Sequence, residues 1–117
     1  MKNLITGLEI KSLLLFPILF LLSCHSSNEK TADNNRHIDT VIIKQMQFNP
    51  AVITVTKGDT VIWINNDMVD HNVTEEKSKA FYSDTIHVGN SWMLPVTDSV
   101  DYYCTIHPSM KGKIIVK

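Results

Sequence analysis

The residues best able to hold a metal lie near the end of the chain, in Cys104-Thr105-Ile106-His107-Pro108-Ser109-Met110. A thiol, an imidazole and a thioether recur there at three-residue steps. A second imidazole, His71, lies upstream in Asn65-Asn66-Asp67-Met68-Val69-Asp70-His71-Asn72. This is a soft, mixed sulfur and nitrogen donor set. Such donors favour copper, and two His, one Cys and one Met are the parts of a blue-copper electron-transfer site. A Cys104 at the end of a strand would point its sulfur into one end of a β-sandwich. His107 and Met110 would follow on a tight loop held by Pro108, and His71 must come from another loop at the same end. The expected site has the sulfur and two imidazole nitrogens in one plane, with Met110 as a long axial contact. Zinc is the rival metal, although structural zinc sites usually show paired Cys or His spacings that this chain lacks.

The elements that must position these groups read as short strands. Residues 40–44 form a compact β-branched run. Residues 52–56 alternate, with Ile53 and Val55 on one face, and Lys57-Gly58-Asp59 turns the chain into residues 60–64. Residues 101–104 and 113–117 are the last two clear strands. Residues 81–86 suggest an edge strand, and 88–96 contain another that Pro95 places at an edge or an end. Residues 75–80 fit one helical turn or a loop. The β-branched and aromatic enrichment and the close spacing of turn residues predict an all-β sandwich or barrel.

The 117 residues suggest one domain, and the N-terminus is not part of it. Lys2 and Lys11 precede or open an apolar run from Leu13 to Leu22, too short to span a bilayer and suited to a signal peptide. The run ends in Leu22-Ser23-Cys24, which resembles a bacterial lipobox, although Leu22 is bulkier than that pattern usually allows. The expectation is a signal over 1–23, lipidation at Cys24, a flexible polar tether over 24–37 and a folded domain over 38–117. The plainer alternative is a secretory signal cut near Ser23. Either way the protein is exported, to the periplasm or the cell surface. Lipidated through its sulfur, Cys24 cannot pair with Cys104, and a lone thiol in an oxidising compartment calls for a reason, which a metal supplies. A Cys24–Cys104 bridge is the alternative.

Charge excludes little. Removing residues 1–23 takes away Lys2, Lys11 and Glu9 and leaves 9 basic and 11 acidic residues, a net of −2. There is no basic stripe for nucleic acid. Asp67, Asp70, Glu75 and Glu76 cluster near His71 and read as a solvated loop rather than an acidic docking rim, with Lys77 and Lys79 partly cancelling them. His25, His37 and His87 read as ordinary surface histidines.

The residues from Met46-Gln47-Phe48-Asn49-Pro50 through Ile53–Asp67 and His71-Asn72-Val73 to Tyr102–Gly112 resemble the cupredoxins of the plastocyanin, pseudoazurin and amicyanin group. The two residues between His107 and Met110 are most similar to amicyanin. The resemblance implies a Greek-key sandwich of about eight strands and one type 1 copper ion. It carries His71, Cys104, His107 and Met110 over as ligands and gives Asn72 the role of tying the two ligand loops together. It makes His107 the solvent-edge imidazole through which electrons pass. Phe48, Pro50, Met68 and Pro108 would surround it as an apolar docking patch. The implied protein is a monomer that shuttles single electrons between larger redox partners (a cytochrome, dehydrogenase or reductase) and transforms no substrate. A copper-delivery protein would show the same ligands. A copper enzyme of the oxidase kind would need further His-rich sites, and a metal-free interaction sandwich would leave Cys104 buried or bridged. Trp63, Trp92, Tyr102 and Tyr103 read as packing, with an aromatic electron relay as an open alternative.

Overall fold

The computed structural model describes residues 35–117. The expected signal peptide, the expected lipidation at Cys24 and most of the expected tether lie outside the described residues. Eight strands form two four-stranded sheets. They are β1 (Ile38–Lys44), β2 (Gln47–Asn49), β3 (Val52–Val55), β4 (Thr60–Asn65), β5 (Thr74–Glu75), β6 (Ser91–Pro95), β7 (Val100–Tyr103) and β8 (Lys111–Val116). One sheet runs β2-β1-β4-β6 and the other β3-β8-β7-β5. β1 pairs parallel with β4, and β3 pairs parallel with β8. The chain therefore crosses between the layers rather than meandering within one.

Side-chain alternation explains why these segments are strands. Along β4, Val61, Trp63 and Asn65 are buried while Thr60, Ile62 and Ile64 are half-buried. That two-residue period is what a sheet with one face on the core requires. Val41 and Ile43 of β1, Tyr102 of β7 and Ile114 of β8 complete the centre. Each fully buried aliphatic or aromatic side chain of this kind stabilises the fold by about 1.5–3 kcal/mol.

The strand boundaries sharpen the expectations. β7 ends at Tyr103, so Cys104 is the first residue beyond the strand. β6 is the edge strand expected within 88–96, and Pro95 is its last residue. Residues 81–86 do not form a strand and contribute two isolated bridges, Thr74 with Tyr82 and His71 with Ile86. Residues 76–80 form a loop with no helical turn. The Glu75 carboxylate organises that loop by accepting from the main-chain N–H groups of Lys77, Ser78 and Ala80 and from the Ser78 hydroxyl. β2 is additional to the expected strands, and it buries Phe48 edge-on against Tyr102 with ring centroids 4.9 Å apart. Phe48 is 2% exposed and belongs to the core. Its assignment to a surface docking patch is therefore wrong, because a three-residue strand turned its side chain inward.

Gly112 carries the closest approach in the domain. It pairs across the ladder with Tyr102, and a Cβ on residue 112 would clash with the phenol end of the Tyr102 ring. Gly112→Ala should lower stability by about 1–3 kcal/mol through overpacking, read from denaturant melts. A second expectation concerns acid. Hydrogen bonds from Ser78 and Lys77 hold the Glu75 carboxyl at about 2, against 4.5 for a free one. A carboxyl depressed in the folded state contributes stability above the unfolded value and loses it as pH falls through the folded one. Glu75→Gln should therefore flatten the decline in stability between about pH 4.5 and 2, measured by urea melts across that range.

Candidate metal centre

Two loops meet at one end of the sandwich. His71 follows the turn after β4, and an antiparallel bridge to Ile86 holds its main chain, with N···O distances of 3.2 and 2.8 Å. Cys104 follows β7. His107 lies on the connection to β8. That connection is closed by two main-chain bonds, from Cys104 N–H to Met110 O at 3.1 Å and from Met110 N–H to His107 O at 2.9 Å. The loop is therefore folded back on itself, and Met110 at its end is buried.

His71, Cys104 and His107 converge as the sequence suggested. Their donor atoms all lie within 4.8 Å of one another, and they are the only such group of His, Cys, Asp and Glu side chains among the described residues. Cys104 Sγ is 3.9 Å from Nδ1 of His71 and 3.9 Å from Nδ1 of His107, and the two nitrogens are 3.2 Å apart. The point equidistant from the corners of that triangle lies about 2.1 Å from each, inside the range of ordinary metal–nitrogen and metal–sulfur bonds. The donors are thus already spaced for one transition-metal ion. A closed structural zinc site would need a fourth donor of the Cys, His or carboxylate kind. The group has three, which leaves the soft thiolate–imidazole set that suits copper. His71 and Cys104 are fully buried, while His107 is half-buried and reaches the surface.

The surroundings lock this arrangement. Asn72 spans the two ligand loops: its Nδ2 donates to Thr105 Oγ1 at 2.6 Å, and its Oδ1 accepts from Thr105 N–H at 2.8 Å. Its own N–H donates to Cys104 Sγ at 3.4 Å. Met110 N–H is spent on His107 O, and Pro108 has no N–H, so Asn72 is the main-chain donor that the sulfur has among the described residues. Asn65 ties the turn before His71 through Nδ2 to Val69 O and Ile86 O, both at 2.9 Å.

The acidic cluster does not form a docking rim. Glu75 holds its own loop, and Glu76 pairs with Lys111. Asp70 accepts from Val88 N–H and pairs with His87 Nδ1 at 2.9 Å. Asp67 turns inward, with Oδ2 at 3.0 Å from His71 Nε2. Hydrogen bonds from the main chain of Met46 and Met68 hold its carboxyl at about 2, so it stays ionised. Sequence reading had grouped Asp67 with the solvated loop and missed this contact. The available signal was its i, i+4 spacing to His71. His37 and His87 sit at the surface beside Asp39 and Asp70, and His25 lies outside the described residues.

Comparison with known proteins agrees with this geometry. Residues 37–117 match the family of copper binding proteins, plastocyanin/azurin family. The chain belongs to that family. It is 32% identical to the amicyanin of Paracoccus versutus over 81 residues, covering 64% of this chain and 61% of that protein. It is 33% identical to a plastocyanin of Synechococcus sp. over 100 residues, covering 67% of this chain and 74% of that protein. A reduced-state structure of an amicyanin variant superposes with a TM-score of 0.64 at 31% identity, covering 68% of this chain and 82% of that one. The chain thus spans about three fifths of the length of the first curated amicyanin it matches. The two-layer sandwich is the cupredoxin fold, and the family's cofactor is one copper ion, for which His71, Cys104 and His107 are the candidate ligands.

The loop tie should be measurable without a metal. Asn72→Ala leaves Thr105 N–H without its partner and removes the link between segments 33 residues apart. The expected loss is about 2–3 kcal/mol of folding stability, read from chemical denaturation of the metal-free protein.

Proposed function

We propose that this protein carries single electrons between larger redox proteins, using one type 1 copper ion held by His71, Cys104, His107 and Met110. The observation that carries the reading is the triangle of donors, assembled at bonding distance around one point by the protein itself. When bound, copper would supply a one-electron Cu(I)/Cu(II) couple. The chain's contribution is to keep the donors still. Ligands on two short loops, tied to each other by Asn72 and closed by the Met110 main chain, have little room to rearrange. A site that changes little between oxidation states keeps the barrier to electron transfer low.

Met110 supports the axial role by position: it is 3% exposed and hydrogen-bonded through its main chain to both Cys104 and His107. His107 supports the role of electron port. Of the two imidazoles it is the one that reaches solvent, and exposed Ile106 and Pro108 flank it. An exposed apolar rim around a half-buried ligand suits brief docking of a redox partner, and Met68, 90% exposed, is a further apolar side chain on the segment that leads to His71. A cytochrome, dehydrogenase or reductase would fit that role. The protein acts as a monomeric carrier and not as an enzyme. The sequence of residues 1–24 supports export and tethering to a membrane through lipidated Cys24, with residues 25–36 giving the domain reach.

Adding Cu(II) to the purified protein should produce an intense blue thiolate-to-copper band, with a reversible one-electron wave in voltammetry. Cys104→Ser should abolish the band while leaving the fold intact by circular dichroism. A colourless wild-type protein with a titratable Cys104 thiol would remove the electron-transfer reading. Copper that is bound but released readily to an acceptor, with no reversible wave, would favour delivery instead.

A further inference from the structure

Asp67 occupies a place that a loop carboxylate does not need. Its Oδ2 accepts from Met46 N–H at 2.8 Å and faces Nε2 of His71 at 3.0 Å, while its Oδ1 accepts from Met68 N–H at 2.9 Å. The His71 side chain is fully buried and that of Asp67 is 11% exposed. We propose that Asp67 is a positioning residue for the metal: it fixes the tautomer of His71, aims Nδ1 at the metal point and lowers the reduction potential of the site. The inference rests on the copper reading above.

The chemistry follows from what each atom can do. An ionised carboxylate only accepts hydrogen bonds, so the ring nitrogen facing it must carry the proton. A neutral imidazole protonated at Nε2 has its lone pair on Nδ1. That Nδ1 lies 3.9 Å from Cys104 Sγ and 3.2 Å from His107 Nδ1, in the triangle of donors. The negative charge on Asp67 pulls on the Nε2 proton and makes Nδ1 a more basic ligand. A more basic nitrogen favours Cu(II) over Cu(I), and a nearby negative charge at the edge of a buried site acts in the same direction. Both effects lower the potential.

The position of Asp67 is built rather than incidental. Its N–H donates to Oδ1 of Asn65, which is itself fully buried, at 3.0 Å. The turn between β1 and β2 places Gln45 and Met46 at φ 55° and 58°, in the left-handed region where glycine or asparagine is the usual choice. Non-glycine residues held there are strained and persist only where surrounding contacts hold them. The Met46 N–H presented by that turn is the one donated to Asp67 Oδ2. One carboxylate oxygen therefore receives both the turn and the ligand ring. Asp70, three residues further on and 44% exposed, bonds to His87 and Val88 and does neither.

Two measurements on the full chain test the proposal. In the metal-free protein, long-range 1H–15N correlation of the His71 ring should show a protonated Nε2 and a bare Nδ1, and Asp67→Asn should shift it to a mixture of tautomers. In the copper-loaded protein, Asp67→Asn should weaken Cu(II) binding by about 10–100-fold with a smaller loss for Cu(I). The potential should then rise by about 59 mV for each tenfold difference between the two states. Asparagine keeps the shape and an acceptor for Met46 N–H, and Asp67→Ala provides a second variant if one folds poorly. Loss of stability with an unmoved potential and an unmoved tautomer would show that Asp67 only braces the turn, and the proposal would be overturned. A potential that falls would overturn it as well. A wild-type protein with no blue copper form would instead remove the copper reading, while the metal-free tautomer would still decide whether Asp67 positions His71.

Discussion

The structure depends on holding two imidazole nitrogens and a thiol sulfur closer together than three such groups would stay unaided. The two Nδ1 atoms are 3.2 Å apart, and each lies 3.9 Å from Cys104 Sγ. The sulfur distances are long for hydrogen bonds, and the two nitrogens can share at most one proton, so the three groups make little attraction of their own. These groups must therefore be held from outside. Asn72 does so between segments 33 residues apart in sequence, using a paired contact with Thr105 and a main-chain N–H to the sulfur. Asn65 fixes the turn before His71 from beneath, and the main chain of Met110 closes the loop that carries His107. The sandwich supplies the fixed ends from which those loops start.

This division of labour gives the central aromatic residues a mechanical role. Tyr102 stands two residues before Cys104 on β7 and lies over Gly112 of β8, with Phe48 and Trp63 edge-on to it at 4.9 and 5.4 Å. The strand that leads to the cysteine is thus held through the Tyr102 side chain just before it delivers the sulfur. A close-packed interior transmits displacement instead of absorbing it, so a shift in the core at Tyr102 would be felt at Cys104. The small size of the domain makes this clamp more important, because few other buried contacts share the load.

Much of the site was legible because its chemistry is local. Cys104, His107 and Met110 lie within one loop at a spacing that suggests a shared centre, and the structure brings Cys104 and His107 together there with His71. His71 was legible through the Asn65–Val73 segment that surrounds it. The all-β class followed from alternation in residues 52–56 and 60–64, where burial on one face leaves its mark directly in the residue order. What stayed hidden depends on contacts distant in sequence or on very short elements. Strands β2 and β5, three and two residues long, leave no periodic trace. Phe48 looked available for the surface because its burial depends on β2 folding against Tyr102. Asp67 looked like one of four loop acids. Its distinction is the direction of its side chain, set by Asn65 and by a main-chain N–H from a turn 21 residues earlier.

The same distances bear on how electrons would enter and leave. The aromatic residues form a chain from Phe48 through Tyr102, Trp63 and Trp92 to Phe81, with successive centroids 4.9 to 6.0 Å apart. As a relay it faces a chemical obstacle. Oxidising a phenol is easy only when its proton can leave, and burial pushes the Tyr102 phenol up to about 12. Among the described residues, neither the Tyr102 hydroxyl nor the Trp63 indole N–H has a hydrogen-bond partner to take that proton. A charge placed there would be both desolvated and unpaired, the costliest arrangement for a buried group. His107 offers a shorter route: its Nδ1 belongs to the donor triangle while its ring reaches solvent. The aromatic core is better understood as the frame that keeps Cys104 still, and the proposed carrier role places the crossing of electrons at the half-buried imidazole.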